Sequence, residues 1–406
     1  MRRLLLTLAA VVSLAVATPV LPQSSEAPQP ADVAELQQAA SAGDVLAQVL
    51  LAGHYDTGKN VPQDFGRAAK WYKSAAMQGN AAAQNRLGQL LRSGLGLGRD
   101  DVEAVKWLKL AADQGAPQHI FDLAEMYENG FGVSQDYATA AELYRQAAEG
   151  GLAEAAVNLA VLYQNGTGVA QDFERAIALY NGPAQAGNLR ALNNLGLLYT
   201  KGQGVEQNYE MGARLFQLAA DKGFATAMTN LGVMYDNGFG VKQDDEQAQL
   251  WYRRAGQNEA ETLDTLVQRT GFFFDPRLAP PDQSKDAFAA HLELARGGDP
   301  ISQFLVGYML GSSEGETRNL ADAARWFRLA AEKGVTPAMA NLGLLYFRGL
   351  GVPQDYVQGY MWFTLASTSG MTDIISLREA FTPSMTTGQI NQAQQMASAR
   401  WQAAQE

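Results

Sequence analysis

Apolar residues recur along most of this chain in a pattern that returns every 36 residues. Residues 153–188 read AEAAVNLAVLYQNGTGVAQDFERAIALYNGPAQAGN, and the following 36 residues repeat the same skeleton. The apolar spacing of three and four predicts two amphipathic helices per unit, joined by a Gly-x-Gly-Val turn and ended by a glycine. One helix pair leaves its apolar face uncovered, so each unit must stack on its neighbours. The pattern therefore predicts an all-α solenoid of helix-turn-helix repeats.

Individual positions of the repeat have mechanical reasons. We expect the first turn glycine to take positive φ, and it recurs at Gly58, Gly94, Gly130, Gly166, Gly202 and Gly238. A glycine within the first helix lets the second helix approach closely, as predicted for Gly88, Gly196, Gly232 and Gly343. An aspartate before the second helix suits the N-cap, as at Asp64, Asp100, Asp136, Asp172, Asp244 and Asp355. The local signals and the stacking requirement thus agree on one architecture.

Breaks in the register divide the chain into segments. We predict a signal peptide (1–17), a flexible lead-in with a first helix (18–42), six repeats (43–258), a degraded repeat with an inserted loop (259–298), two further repeats (299–370) and C-terminal capping helices (371–406). In the degraded unit, a loop at 270–284 replaces the turn and contains Phe272, Phe273 and Phe274. This loop is either a tolerated surface insertion or a joint between two arms. Three phenylalanines cannot all face water cheaply, so some must pack across the joint or await a partner.

The N-terminus has the features of a secretory signal. Arg2 and Arg3 precede an apolar run, Leu4 to Val16, which is too short to span a bilayer comfortably. The sequence Ala15-Val16-Ala17 then matches a small-x-small cleavage site. The alternative is an uncleaved anchor. Cleavage predicts a periplasmic or secreted protein in a Gram-negative bacterium, with no stable membrane insertion afterwards.

Composition narrows the choice of partners and chemistry. The 31 basic and 42 acidic side chains give a net charge of −11, which disfavours nucleic acid and anionic membranes as partners. The absence of cysteine excludes disulfides, thiolate zinc sites and a cysteine nucleophile. The three histidines lie on different units without metal-binding spacing, so we predict neither metal nor cofactor. The stretch Gly311 to Gly315 reads GSSEG, but it follows a helical run where a repeat turn is due, which argues against a nucleophile elbow.

The repeat resembles a known family. Residues 227–256, AMTNLGVMYDNGFGVKQDDEQAQLWYRRAG, closely match the Sel-one-like repeat, a relative of the tetratricopeptide repeat. The resemblance covers roughly residues 43–370. It implies a right-handed α/α superhelix that acts as a scaffold for protein–protein contacts, often exported in bacteria and active in the envelope. It implies no shared catalytic residues, and the cysteines of members linked to β-lactam binding are absent here.

Two ladders of residues recur on the outward side of the first helices, which should line the concave face of the array. One ladder is polar, and asparagine can both donate to and accept from a peptide backbone: Asn158, Asn194, Asn230 and Asn341. The other is apolar and suits the anchors of a partner segment: Val161, Leu197, Val233 and Leu344. We predict that these eight residues bind a partner. The alternative is that both ladders only stack adjacent units.

The preferred function is therefore an exported interaction scaffold in the bacterial envelope that binds a segment of another envelope protein on its concave face. One rival is a non-catalytic binder of glycan or peptidoglycan, which would need exposed aromatic platforms, whereas the tryptophans here occupy framework positions. Another rival is a murein- or β-lactam-related enzyme, which would need convergent titratable groups in one cleft.

Overall fold

The computed structural model of the chain describes residues 33–258, 271–275, 278, 281, 284–312 and 318–405. Every regular element in these ranges is helical, which confirms the predicted all-α solenoid. The helices of the first six repeats, preceded by α1, are α1 Val33–Ser41, α2 Val45–Thr57, α3 Phe65–Met77, α4 Ala81–Ser93, α5 Asp101–Ala112, α6 Pro117–Asn129, α7 Tyr137–Glu149, α8 Ala153–Asn165, α9 Phe173–Gln185, α10 Leu189–Lys201, α11 Tyr209–Ala220, α12 Ala225–Asn237 and α13 Asp245–Asn258. Even-numbered helices are the first helices of these repeats, and odd-numbered helices from α3 onwards are the second.

The C-terminal part continues the same alternation after the interruption. The helices are α14 Lys285–Arg296, α15 Pro300–Ser312, α16 Leu320–Glu332, α17 Thr336–Arg348, α18 Tyr356–Ser367, α19 Thr372–Phe381 and α20 Thr387–Ala403. Here α15 and α16 form the seventh complete repeat, and α17 and α18 form the eighth. None of the helices in the described ranges combines the length and apolarity needed to cross a bilayer.

Neighbouring repeats touch through their turns. The first turn glycines have positive φ as predicted, and the second glycine of each turn meets the preceding second helix. At Gly132, for example, a Cβ atom would lie 2.0 Å from the main-chain oxygen of Asp101 at the start of α5. Asn60 replaces the second glycine in the first repeat, and it is the one non-glycine with positive φ (67°) among the described residues. No complete repeat precedes it, so the close approach is not required there, and asparagine tolerates this conformation.

Helix ends and helix crossings follow the sequence. The predicted aspartates accept hydrogen bonds from the first turn of the second helices, as Asp172 does from the N–H of Arg175 at 2.9 Å. A Cβ atom at Gly196 would lie 2.7 Å from Cε1 of Phe216, which confirms that this glycine permits close packing of α10 on α11. Each helix pair is thereby fixed by a cap and by a close crossing.

The array returns to its own beginning. The side chain of Gln394 in α20 accepts a hydrogen bond from the N–H of Phe65 at 3.1 Å and donates one to Oε1 of Gln63, also at 3.1 Å. The hydroxyl of Tyr360 in α18 donates to the same Gln63 oxygen at 2.8 Å. These groups are all buried, so the last repeat and the C-terminal helix are joined to the first repeat.

A buried arginine completes this junction. Arg378 of α19 is fully buried, and its Nη2 donates to the carbonyl oxygen of Thr57 at 2.8 Å. Its Nε and Nη1 have no hydrogen-bond partner among the described residues, and burial lowers the pKa of Arg378. A Cβ atom at Gly58 would lie 2.5 Å from Nη1, so the first turn glycine also makes room for the guanidinium. The junction therefore carries a buried cation whose desolvation is opposed by the Thr57 hydrogen bond and by the negative charges of Glu379 and Asp56.

We predict that Gly132→Ala destabilises the protein more than Gly115→Ala. Both glycines have positive φ, but a Cβ atom at Gly115 meets nothing within 4 Å. The control should therefore lose about 1–2 kcal/mol from backbone strain alone, and overlap with α5 should add about 1–3 kcal/mol at Gly132. Urea denaturation measures both. Equal losses would show that the turn does not press on the preceding helix.

The junction between the ends is tested by Gln394→Ala, with Gln395→Ala as the matched control on the exposed side of α20. Removing the amide of Gln394 leaves the N–H of Phe65 buried without its acceptor, which should cost about 1–3 kcal/mol. Thermal and urea denaturation provide the measurement. A loss no larger than that of the control would contradict the closed arrangement.

Candidate partner-binding surface

The predicted ladders lie on one face of the first helices in repeats four to six, which we call the ladder strip. Asn158, Asn194 and Asn230 are half-buried on α8, α10 and α12. The apolar ladder is half-buried at Val161 and Leu197, and Val233 is 41% exposed. A partner can therefore reach this strip without any change in the repeats.

The same asparagines also connect adjacent repeats. Asn230 donates to Oδ1 of Asn193 at 2.8 Å, and Asn193 donates to Oδ1 of Asn194 at 3.3 Å. Asn158 accepts from Nη1 of Arg190 at 3.1 Å. The strip thus has a stacking role as well, as the alternative interpretation expected. An amide has two donor hydrogens and two acceptor lone pairs, so each ladder asparagine retains hydrogen-bonding capacity for a partner.

A buried tyrosine fixes the orientation of Asn194. The hydroxyl of Tyr180 accepts from Nδ2 of Asn194 at 3.1 Å and donates to Oε1 of Gln164 at 3.0 Å. Burial raises the pKa of Tyr180 to about 12, so the hydroxyl stays protonated at neutral pH. This second-helix tyrosine therefore presents the Asn194 amide in one direction, which is a feature that the sequence pattern alone did not reveal.

In the first three repeats the same ladder position is not asparagine. Arg86 forms two hydrogen bonds to Asp56, at 2.6 and 2.7 Å, and these bonds raise the pKa of Arg86. Asp122 accepts from Asn85 at 2.8 Å and from Gln89 at 2.7 Å. Arg86 is thus paired with a carboxylate, whereas Asp122 is held by neutral amides, both within the first-helix face. The ladder strip is therefore the uncharged part of a longer polar surface.

The structure corrects the prediction for the last two ladder residues. Asn341 and Leu344 are both fully buried, so they do not present a free surface to a partner. Oδ1 of Asn341 accepts from the N–H of Phe273 at 2.6 Å, and its Nδ2 donates to the Phe273 carbonyl at 2.9 Å. Asn341 does bind a peptide backbone, as asparagine in this ladder was expected to, but the backbone belongs to the same chain.

The three phenylalanines of the inserted loop lie in a groove formed by α15 to α18, which we call the aromatic groove. Phe272 packs on Phe327 at 5.6 Å between ring centroids, and Phe273 packs on Phe363 at 6.4 Å. Phe274 contacts Tyr308 at 4.8 Å and Phe304 at 5.8 Å. The sequence predicted that some of these rings would pack or await a partner, and the structure places all three against other aromatic side chains.

A glycine in α15 provides space for the first ring. A Cβ atom at Gly311 would lie 2.6 Å from Cε2 of Phe272. The other repeats carry a side chain at the equivalent position of the first helix: Asp56, Arg92, Glu128, Gln164, Thr200, Asp236 and Phe347. Gly311 lies inside the helix, not in a repeat turn as the sequence suggested. The glycine at a position where the other repeats carry a side chain is the sequence signal that could have indicated this slot.

A separate cleft lies where the two ends of the array meet. Its volume is about 600 Å³, and its lining includes Trp71, Trp401, Arg67 and Lys70. Within the described ranges, no three His, Asp or Glu side chains are grouped so as to hold a metal ion.

Comparison with known proteins agrees with this architecture. A protective antigen of uropathogenic Escherichia coli that displays an SLR fold is 29% identical over 90% of this chain and 86% of its own, with a TM-score of 0.52. A Sel1 repeat protein from Oxalobacter formigenes is 27% identical over 84% of this chain and 87% of its own, with a TM-score of 0.44. No curated protein matches the sequence.

The family assignment rests on the sequence of the repeats themselves. The profile of the Sel1 repeat matches eight segments: residues 45–80, 81–115, 120–152, 153–181, 189–224, 225–259, 300–335 and 336–371. These segments make up more than half of the chain and coincide with the helix pairs described above. The chain therefore belongs to the Sel1 repeat family.

Proposed function

We propose that this protein is an exported scaffold of the bacterial envelope that binds an extended segment of a partner protein along the ladder strip. Proteins of the Sel1 repeat family are generally scaffolds for protein–protein interactions. The family is typically non-catalytic. The ladder strip offers uncharged amides and accessible apolar side chains, which is the combination that holds a peptide by its backbone and a few anchors.

One observation carries this proposal. Asn341 occupies the same repeat position as Asn158, Asn194 and Asn230, and it holds the main chain of Phe273 by two hydrogen bonds. A ladder asparagine is therefore able to recognise one residue of a peptide backbone by its N–H and C=O groups together. Such recognition does not depend on the side chains of the bound segment, so it supports an extended ligand.

The spacing of the strip suits an extended chain. The first helices of adjacent repeats are linked by hydrogen bonds, from Arg190 to Asn158 and from Asn230 to Asn193. Successive ladder asparagines would then meet an extended partner at a regular interval set by the repeat. Between them, Val161, Leu197 and Val233 would contact apolar side chains of the same segment. Affinity would come from several modest contacts repeated along the strip.

We predict that Asn194→Ala with Asn230→Ala, or Val233→Glu alone, abolishes capture of the partner from an envelope extract. The midpoint of thermal unfolding should change little, because substitutions at accessible sites usually alter stability by about ±0.5 kcal/mol. The measurement is affinity capture with quantitative mass spectrometry, beside circular dichroism melting. The matched control is Leu218→Glu, since Leu218 is 55% exposed on a second helix.

Two outcomes would contradict this proposal. If the asparagine variants unfold, the cross-repeat hydrogen bonds are their main role and the stacking interpretation is correct. If they keep both fold and partner while Leu218→Glu loses it, the partner binds the second-helix face.

Export forms a separate part of the proposal. Residues 1–17 lie outside the described residues, so this part rests on Arg2, Arg3, the short apolar run and the small residues before Thr18. We predict that mass spectrometry of the mature protein, purified from a Gram-negative periplasm, finds an N-terminus at or next to Thr18. An intact N-terminus in the cytoplasmic fraction would contradict it.

A further inference from the structure

We propose that the aromatic groove of repeats seven and eight is a second peptide-binding site, which takes an extended segment with consecutive aromatic side chains. In the structure, this groove is occupied by Phe272, Phe273 and Phe274 of the same chain. A segment of the same chemistry from another protein binds there by displacing them. This site differs from the ladder strip in position and in ligand chemistry.

The groove is shaped for this ligand. Gly311 stands where every other complete repeat has a side chain, and the Phe272 ring fills the space that this leaves. Phe327 and Phe363 occupy the second-helix position that carries a tyrosine in the first, third, fourth and sixth repeats. Without a hydroxyl, these rings offer an apolar floor to Phe272 and Phe273. The fifth repeat also has phenylalanine at this position, Phe216, so the missing side chain at Gly311 is the departure from the repeat pattern that distinguishes this groove.

The groove also reads the main chain. Asn341 is fully buried, and its amide accepts a hydrogen bond from the N–H of Phe273 and donates one to the C=O of the same residue. A buried amide without such a partner would be costly. The site thus requires a central residue whose N–H and C=O both face Asn341, with aromatic side chains on the residues at either side. Isolated aromatic molecules do not meet this requirement.

The resident segment covers the groove without being sealed into it. Phe272, Phe273 and Phe274 each remain half-buried, whereas Phe304, Phe327 and Phe363 beneath them are fully buried. A half-buried ring buries less apolar area than a fully buried one, so its release costs less free energy. This favours exchange of the segment. Because the segment is tethered, its effective concentration is of the order of millimolar. It therefore lowers the apparent affinity of the groove for any competing ligand. The protein therefore holds this site closed until an aromatic segment of sufficient affinity or concentration arrives.

The experiment measures binding of a synthetic peptide to the full-length mature chain. The probe is Gly-Phe-Phe-Phe-Asp with a lysine tail and a fluorescent label, followed by fluorescence anisotropy. A vacated variant carries Phe272→Ser, Phe273→Ser and Phe274→Ser. We expect it to bind the probe about tenfold or more tighter than the unmodified protein, since the tethered competitor is gone. A peptide with three serines in place of the phenylalanines should not bind.

A matched variant tests the geometry of the groove. Adding Gly311→Gln to the vacated variant places a side chain in the slot, and Gln164 shows that the first helix of a repeat accommodates glutamine at this position. This addition should weaken probe binding about tenfold or more, with no change in helicity. A folded vacated variant that fails to bind the probe, or one that is insensitive to Gly311→Gln, would overturn the proposal.

A second measurement avoids the vacated variant and so does not depend on its folding. The probe is made with a photoreactive benzoyl-phenylalanine in the middle position and is crosslinked to the unmodified protein at high concentration. Adducts mapped to α15 through α18 support displacement of the resident segment. Adducts elsewhere, or none, contradict it. Because these tests leave the ladder strip intact, either proposal can fail without the other.

Discussion

The architecture depends on one steric constraint, the approach of each repeat turn to the main chain of the preceding repeat. At Gly132 the separation is too small for a Cβ atom, because the turn backbone rests directly on the start of α5. Glycine is thus required both for positive φ and for this contact. Since the contact is between backbones, it fixes the geometry of stacking while leaving the exposed side chains free to vary. The two candidate binding surfaces are two such variations.

Closure of the array adds a second constraint. Gln394 and Tyr360 meet Gln63 in the first repeat, and Arg378 reaches the end of α2. A linear stack of repeats transmits stability only between neighbours. Here the two ends also contact each other through buried hydrogen bonds. Removing one partner would leave the other buried without a hydrogen bond, which lowers the free energy of unfolding. Both candidate surfaces therefore lie on an array whose two ends contact each other.

One repeat position serves three purposes around this frame. It holds Arg86 in an ion pair and Asp122 among neutral amides near the N-terminus, asparagines that join adjacent units in the middle, and Asn341 on a peptide backbone near the C-terminus. The surroundings decide which purpose applies. Tyr180 orients Asn194 through a hydrogen bond, whereas the main chain of Phe273 forms both hydrogen bonds with Asn341. The same amide chemistry is thus used for stacking and for recognition.

The sequence by itself determined the repeat length, the helix pairs, the glycine turns, the caps and the family, because these follow from local periodicity and backbone sterics. It also indicated that Phe272 to Phe274 must be covered and that ladder asparagines suit a peptide backbone. Tertiary structure alone decided that Asn341 is occupied by Phe273, that Gly311 forms a slot and that Gln394 meets Phe65. These contacts join residues 39, 68 and 329 positions apart. No local pattern specifies such contacts, because they depend on how the intervening helices stack.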